Sequence, residues 1–155
     1  MAYSELFTKD SVLLDLDGGD STAVLGALTD ALCAKTPELK DRRDEVLQTL
    51  MERESRGSTG TDGVGLPHVK MAGVTQVTVV VGVHQAGVEF NALDGEKVHV
   101  FFSVIRPEEG ADEHIGLLRW LAGIAQHEDF VSFSCQATSK EELIALLSEL
   151  ASTSA

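Results

Sequence analysis

Of five histidines in this chain, only His68 follows a stretch suited to admit an anion. The stretch runs Arg53-Glu54-Ser55-Arg56-Gly57-Ser58-Thr59-Gly60-Thr61-Asp62-Gly63-Val64-Gly65-Leu66-Pro67-His68-Val69-Lys70. Proline disfavours the helical region at Leu66, so His68 should be presented from extended backbone. Gly60, Gly63 and Gly65 carry no side-chain bulk, so a phosphate or another molecule's backbone could come close. Ser58, Thr59 and Thr61 add hydroxyls to the loop, while Arg53, Arg56 and Lys70 add positive charge. The pattern reads as an anion site around one titratable nucleophile. Composition by itself favours a plain surface loop, because Gly/Ser/Thr clusters are mostly loops.

The other histidines have less around them. His114 stands four residues before Leu118 and seven before Leu121, at the head of an apolar helical stripe. There the positive pole of the helix dipole favours a neutral ring that donates one hydrogen bond and accepts another. The ordinary alternative for His114 is a hydrogen-bonded residue at the edge of the core. His99 alternates with Phe101 inside a strand and reads as a core or sheet-edge residue. His84 and His127 fall in turn-like surroundings and read as solvated. Arg53 falls on the inward stripe of its helix, where it must meet an anion or reach past the helix end. Spacing leaves open whether His68 and His114 meet.

These residues need elements to place them. Ser11 to Leu16 reads as a short strand or extended arm, stopped at Asp17-Gly18-Gly19. A helix capped by Asp20 or Ser21 should run to about Lys35, burying Val24, Leu25, Leu28 and Leu32. Thr36-Pro37 breaks it, and a second helix is expected from about Leu39 to Glu54 with Val46, Leu47, Leu50 and Met51 inward. Beyond the Gly-rich loop, Val77 to Val83 is a strand. Turns at Ala86-Gly87 and Asp94-Gly95 should bracket a short extended piece from Val88 to Phe90. Val98 to Ile105 is nearly continuous apolar, which predicts a central strand covered on both faces. A helix from about Asp112 to Gln126 should bury Leu117, Leu118, Leu121, Ile124 and Ala125. Phe130 to Cys135 reads as irregular or strand-like. Ser139 with Glu142 predicts a capping box, opening a last helix with Leu143, Leu146, Leu147 and Leu150 inward. This order of elements implies an α/β sandwich, with residues 1–155 as a single domain.

Composition fixes the broad class. The chain has 155 residues, 43% hydrophobic and 24% charged, which suits a globular fold with a sizeable core. A formal net charge of -13 argues against a non-specific nucleic-acid binder. No apolar run is long enough to span a membrane, and no signal peptide is visible, so a cytoplasmic location is expected. Cys33 and Cys135 lack metal-ligand spacing and read as ordinary buried thiols. Two histidines without supporting cysteines or carboxylates make a metal site a weak reading.

Together the motifs resemble a known family. Arg53-Glu54, Gly57-Ser58-Thr59-Gly60 and Gly63-Val64-Gly65-Leu66-Pro67-His68 resemble the phosphorylation signature of the enzyme IIA of the bacterial phosphotransferase system. The similarity is to the fructose/mannitol type, which includes nitrogen-regulatory IIA-like proteins. Phe101 to Pro107, followed by His114-Ile115-Gly116-Leu117-Leu118, resembles that family's second-histidine segment. The loop between Gly60 and Gly63 is one residue shorter than the usual form. Gly65 stands where alanine is common, and Thr61 where an aliphatic residue is usual.

The resemblance implies a mixed β-sheet flanked by helices on both faces. It implies a phosphocarrier in which His68 accepts a phosphoryl group from the histidine of the general phosphocarrier protein. His114 would then stabilise the phosphoryl oxygens, Arg53 would neutralise their charge, and Ser58, Thr59 and Gly60 would help bind them. No metal or other cofactor is implied, nor any nucleic acid or membrane insertion. The onward partner would be an enzyme IIB in sugar transport. The alternative is a purely regulatory, nitrogen-type protein whose phosphorylation governs the binding of a target protein.

Overall fold

Val98 to Arg106 is apolar on both of its faces, so the element it forms has to be covered on both sides. The computed structural model meets that demand. It describes residues 3–16 and 18–153, and their side chains except at 3, 4, 111–113 and 151–153. In chain order the elements are β1 (Val12–Leu13), α1 (Ser21–Lys35), α2 (Arg43–Ser55), β2 (Val64–Gly65), β3 (His68–Lys70), β4 (Thr78–Val88), β5 (Val98–Arg106), α3 (Ala111–Ala125), α4 (Phe130–Gln136) and α5 (Lys140–Thr153). Every residue of β5 is buried except His99 and Arg106.

The strands make one mixed sheet. β1 runs parallel to β4, and β4 is antiparallel to β5. The far edge of β5 is paired in parallel by two short strands in succession, β2 against Val100 and Phe101, then β3 against Val104 to Arg106. Pro67 lies between them, outside both short strands, where its missing N–H costs neither of them a ladder bond. α1 and α2 cover one face, burying Leu28, Leu32, Val46 and Leu50 against Val80, Phe101 and Ile105. α3, α4 and α5 cover the other, with Leu117, Leu121, Phe130, Leu143 and Leu147 against Val81, Val100, Phe102 and Val104. The expected α/β architecture with helices on both faces is the one observed. No helix among the described residues is long and apolar enough to cross a membrane.

Several local expectations give way to the structure. The expected arm at Ser11 to Leu16 reduces to the two residues of β1; Asp17, in its stop signal, lies outside the described residues. α1 is capped as expected, with the Asp20 carboxylate accepting from the Ala23 N–H at 2.8 Å. α2 begins at Arg43, after a 3-10 turn over Pro37–Leu39, and Met51 is 40% exposed because only Val46 and Leu50 face fully inward. The turn at Ala86-Gly87 is instead part of β4, where the pairing register slips between Val83 and Val88 and Gly87 takes φ +80°. Left-handed backbone at a glycine lets a strand bulge without ending. Phe130 to Gln136 is helical, with Phe130 and Ser134 buried one turn apart. Its β-rich composition concealed a four-residue spacing. At the last helix, Ser139 accepts from the Glu142 N–H, but the Glu142 carboxylate bonds the Thr138 N–H and hydroxyl, so half of the capping box forms. Cys33 and Cys135 are free and only partly buried, and burial raises both thiol pKa values.

Candidate functional site

Strand register decides which way His68 faces. His68 pairs with Val104, and Val69 with Ile105. Directly paired residues share a face of the sheet, and successive residues alternate. Val69 and Ile105 pack against α1 and α2, so His68 lies on the opposite face with Val104, the side of the α3–α5 layer. Two residues beyond Val104, Arg106 falls on that same face. The carboxy end of α2 carries Arg53 and Glu54 to the open edge of the sheet beside β3.

The backbone around His68 is held on both sides. The Pro67 carbonyl accepts from the Val104 N–H at 3.1 Å and from the Ser103 hydroxyl at 3.0 Å. The Leu66 N–H donates to the Thr59 hydroxyl at 3.0 Å. Within this frame the His68 ring turns back, with Nδ1 2.6 Å from the Leu66 carbonyl oxygen. A carbonyl only accepts, so Nδ1 carries the proton and Nε2 keeps its lone pair. The His68 pKa is lowered from the ordinary 6.5, first by burial. The Leu66 hydrogen bond opposes this, the charge of Arg53 lowers it further, Glu54 raises it and Arg106 lowers it. The outcome is a neutral imidazole with an unprotonated Nε2, flanked by two guanidinium groups.

Arg53 does reach past its helix end, where Nη1 donates to the Gly57 carbonyl at 2.9 Å. The Ser58 hydroxyl donates to the Phe90 carbonyl at 2.9 Å and accepts from the Gly60 N–H at 3.0 Å. The Thr59 hydroxyl and N–H both donate to the Glu54 carboxylate. These loop groups therefore hold the loop's own shape. Gly60 and Gly65 are buried, and the space a Cβ would take is filled by Phe90, Ala92 and Val98 at Gly60, and by Phe101 and Phe90 at Gly65. Those two glycines allow close inward packing by the rings beneath them.

His114 is buried near the amino end of α3, on the helix layer that covers the His68 face. Its Nε2 donates to the Glu109 carbonyl at 3.3 Å, and the ring borders a groove between residues 73–77 and Pro107–Gly110. The two histidines share a side of the sheet but are not hydrogen bonded to one another. His99 lies in β5 as expected, while His84 is more constrained than a solvated reading allows. The half-buried His84 holds the Gly18 carbonyl at 2.7 Å through Nε2, and His99 Nδ1 holds the His84 carbonyl at 3.2 Å. His127 is exposed as expected. Arg106 and the bonds of Glu54 escaped the sequence. Arg106 becomes visible only once the β3–β5 register is known. Among the described residues, no three His, Cys, Asp or Glu side chains are grouped to hold a metal.

Residues 5–150 match the family model for the EIIA 2 component of the phosphoenolpyruvate-dependent sugar phosphotransferase system. The chain belongs to that family. It is 32% identical over 111 residues to the fructose-specific EIIA component of Haloferax volcanii, covering 71% of this chain and 72% of the relative. It is 30% identical over 126 residues to a nitrogen regulatory protein of Pseudomonas aeruginosa, covering 81% and 80%. The crystal structure of the nitrogen regulatory protein IIA-Ntr from Neisseria meningitidis superposes with a TM-score of 0.83 at 29% identity, over 93% of this chain and 97% of that one. Membership of the family supports a phosphocarrier or regulatory role in the phosphotransferase system, as a transferase component at that level.

Proposed function

We propose that this EIIA chain carries a phosphoryl group on His68 Nε2. The observation that carries the reading is the 2.6 Å bond from His68 Nδ1 to the Leu66 carbonyl, which leaves Nε2 as the unprotonated nitrogen. The donor is the phosphohistidine of the general phosphocarrier protein. The Nε2 lone pair attacks phosphorus in line, an N–P bond forms on His68, and the donor's N–P bond breaks with its electron pair returning to the donor ring. Such a transfer depends on positioning and charge neutralisation more than on proton movement. Arg53 and Arg106, whose charges already act on the ring, offset the charge of the arriving oxygens. His114 supplies a further donor from α3 by turning its Nε2–H from the Glu109 carbonyl to the phosphoryl oxygens. Ser58, Thr59 and Gly60 shape the loop that faces it.

The phosphoryl group then passes to a cysteine of an enzyme IIB, or stays as a regulatory mark. Similar identity to a fructose-specific component and to a nitrogen regulatory protein supports each route. The experiment is incubation with phosphoenolpyruvate, enzyme I and the phosphocarrier protein, followed by mapping of the phosphohistidine. Label should appear on His68 and vanish in His68→Ala, with the circular dichroism spectrum unchanged. Equal labelling of the variant would refute the assignment. Adding candidate IIB proteins then separates the routes, since a transport component discharges to one of them and a regulatory protein does not.

A further inference from the structure

Glu54 and Thr59 form a chain of hydrogen bonds that ends at the reacting ring. Glu54 sits in the last turn of α2, where the negative pole of the helix disfavours a carboxylate. Two donors from Thr59 compensate it: the N–H at 3.0 Å to Oε1, and the hydroxyl at 3.1 Å to Oε1 and 3.0 Å to Oε2. Because that hydroxyl's proton points to Glu54, its lone pairs face the other way, and one accepts the Leu66 N–H at 3.0 Å. Leu66 presents its carbonyl to His68 Nδ1. On the far side, the Pro67 carbonyl is fixed by Ser103 and Val104 of β5. The Leu66 carbonyl is thus bracketed by the sheet on one side and by Thr59 on the other.

We propose that Glu54 and Thr59 are positioning residues, which hold the Leu66 carbonyl where it locks His68 in the Nδ1–H tautomer and so directs phosphorylation to Nε2. The proposal rests on His68 being the phosphoryl acceptor. Neither residue touches the phosphoryl group; both act through the Leu66 backbone. A carboxylate-oriented hydroxyl is needed because a free hydroxyl could rotate its proton toward Leu66 and cease to accept. Glu54 has a second effect through space, since its charge opposes those of Arg53 and Arg106 at the ring.

The test reads the tautomer from the imidazole 15N shifts of the unphosphorylated protein, beside the transfer rate from the phosphocarrier. Wild type should show the Nδ1–H form alone. Thr59→Val should show a mixture of tautomers, with kcat lowered about tenfold by misorientation and KM for the phosphocarrier unchanged. Thr59→Ser, which restores the hydroxyl, should return both readouts to near wild type. Glu54→Gln keeps the shape and removes the charge; it should move the tautomer ratio the same way by a smaller amount. An unchanged tautomer in a folded Thr59→Val overturns the proposal. If Thr59→Val does not fold, an unchanged tautomer in Glu54→Gln overturns it. Phosphorylation of wild type elsewhere than His68 would defeat the acceptor reading alone, because the tautomer measurement needs no phosphate.

Discussion

Gly65 offers a direct test of how tightly the site is braced, since the family commonly carries alanine at that position. A Cβ built on Gly65 would lie 3.0 Å from Phe101 Cδ1, 3.2 Å from its Cε1 and 3.3 Å from Phe90 Cε2. Those rings have little room to yield. Phe101 is fully buried, and it meets Phe90 edge-on with centroids 5.0 Å apart at 79°. Phe90 also lines Gly60, 3.3 Å from where a Cβ there would stand. Replacing glycine by alanine normally stabilises by about 0.4–1 kcal/mol through the unfolded chain. Overpacking a filled core costs about 1–3 kcal/mol. The packing cost wins here, leaving Gly65→Ala about 1 kcal/mol less stable. For a chain of this size that is a fall in Tm of roughly 2–4 °C. Phe90→Leu in the same protein should relieve the contact, so the double variant should lose less than the sum of the two single ones. Calorimetry on the four proteins measures this. A raised Tm in Gly65→Ala, or strict additivity with Phe90→Leu, would refute the reasoning.

Arg53→Ala should slow phosphoryl transfer by the equivalent of roughly 2–4 kcal/mol. Its stability should fall by only about 1 kcal/mol, since the structural role is one exposed bond to Gly57, and denaturation beside rapid-quench kinetics separates the two. His114→Ala should slow transfer at least about tenfold, equivalent to roughly 1.4 kcal/mol, with His114→Gln recovering part. Both His114 variants should melt cooperatively; fast transfer by a folded His114→Ala would show that the two histidines act apart. The acid limb of the rate against pH should lie below the ordinary 6.5 of histidine, because burial lowers the His68 pKa. The sign for stability follows: the unfolded ring binds a proton first, so stability falls as pH drops through about 6.5 and levels off below the folded pKa. An NMR titration of His68 checks both, and a midpoint above 6.5 would contradict them.

The sequence made the layers of this fold readable where burial pattern and element length agreed. The continuous apolar run of β5 demanded cover on both faces, and the leucine spacing of α1, α3 and α5 supplied it. It failed where a strand bulges without stopping, as at Gly87, and where a short helix is written in strand-like residues, as in α4. The extended backbone at His68 and the reach of Arg53 past its helix end were legible because proline and helix period constrain a residue locally. Arg106 was not, since its place beside His68 depends on a parallel register between segments more than thirty residues apart. Gly60 and Gly65 were ambiguous for a related reason. A residue without a side chain looks the same whether a ligand or a phenylalanine fills the space.

The charges around His68 suit a carrier better than a permanent acceptor. Burial, Arg53 and Arg106 all make the imidazole less basic, and only Glu54 and the Leu66 bond pull the other way. A less basic ring is a somewhat weaker nucleophile toward phosphorus, but it is also a better leaving group when the N–P bond has to break. Two cations already in place neutralise the oxygens in both directions. In the proposed transfer these effects keep His68 from becoming a sink: the group arrives because the ring is neutral and oriented, and departs because the ring holds it weakly. Glu54 therefore has two opposed duties, orienting the ring through Thr59 while tempering the cations beside it. A variant that removes its charge without disturbing Thr59 should lower the His68 pKa further, a shift visible in the NMR titration of the ring, and an unmoved midpoint would show that Glu54 does not temper the cations.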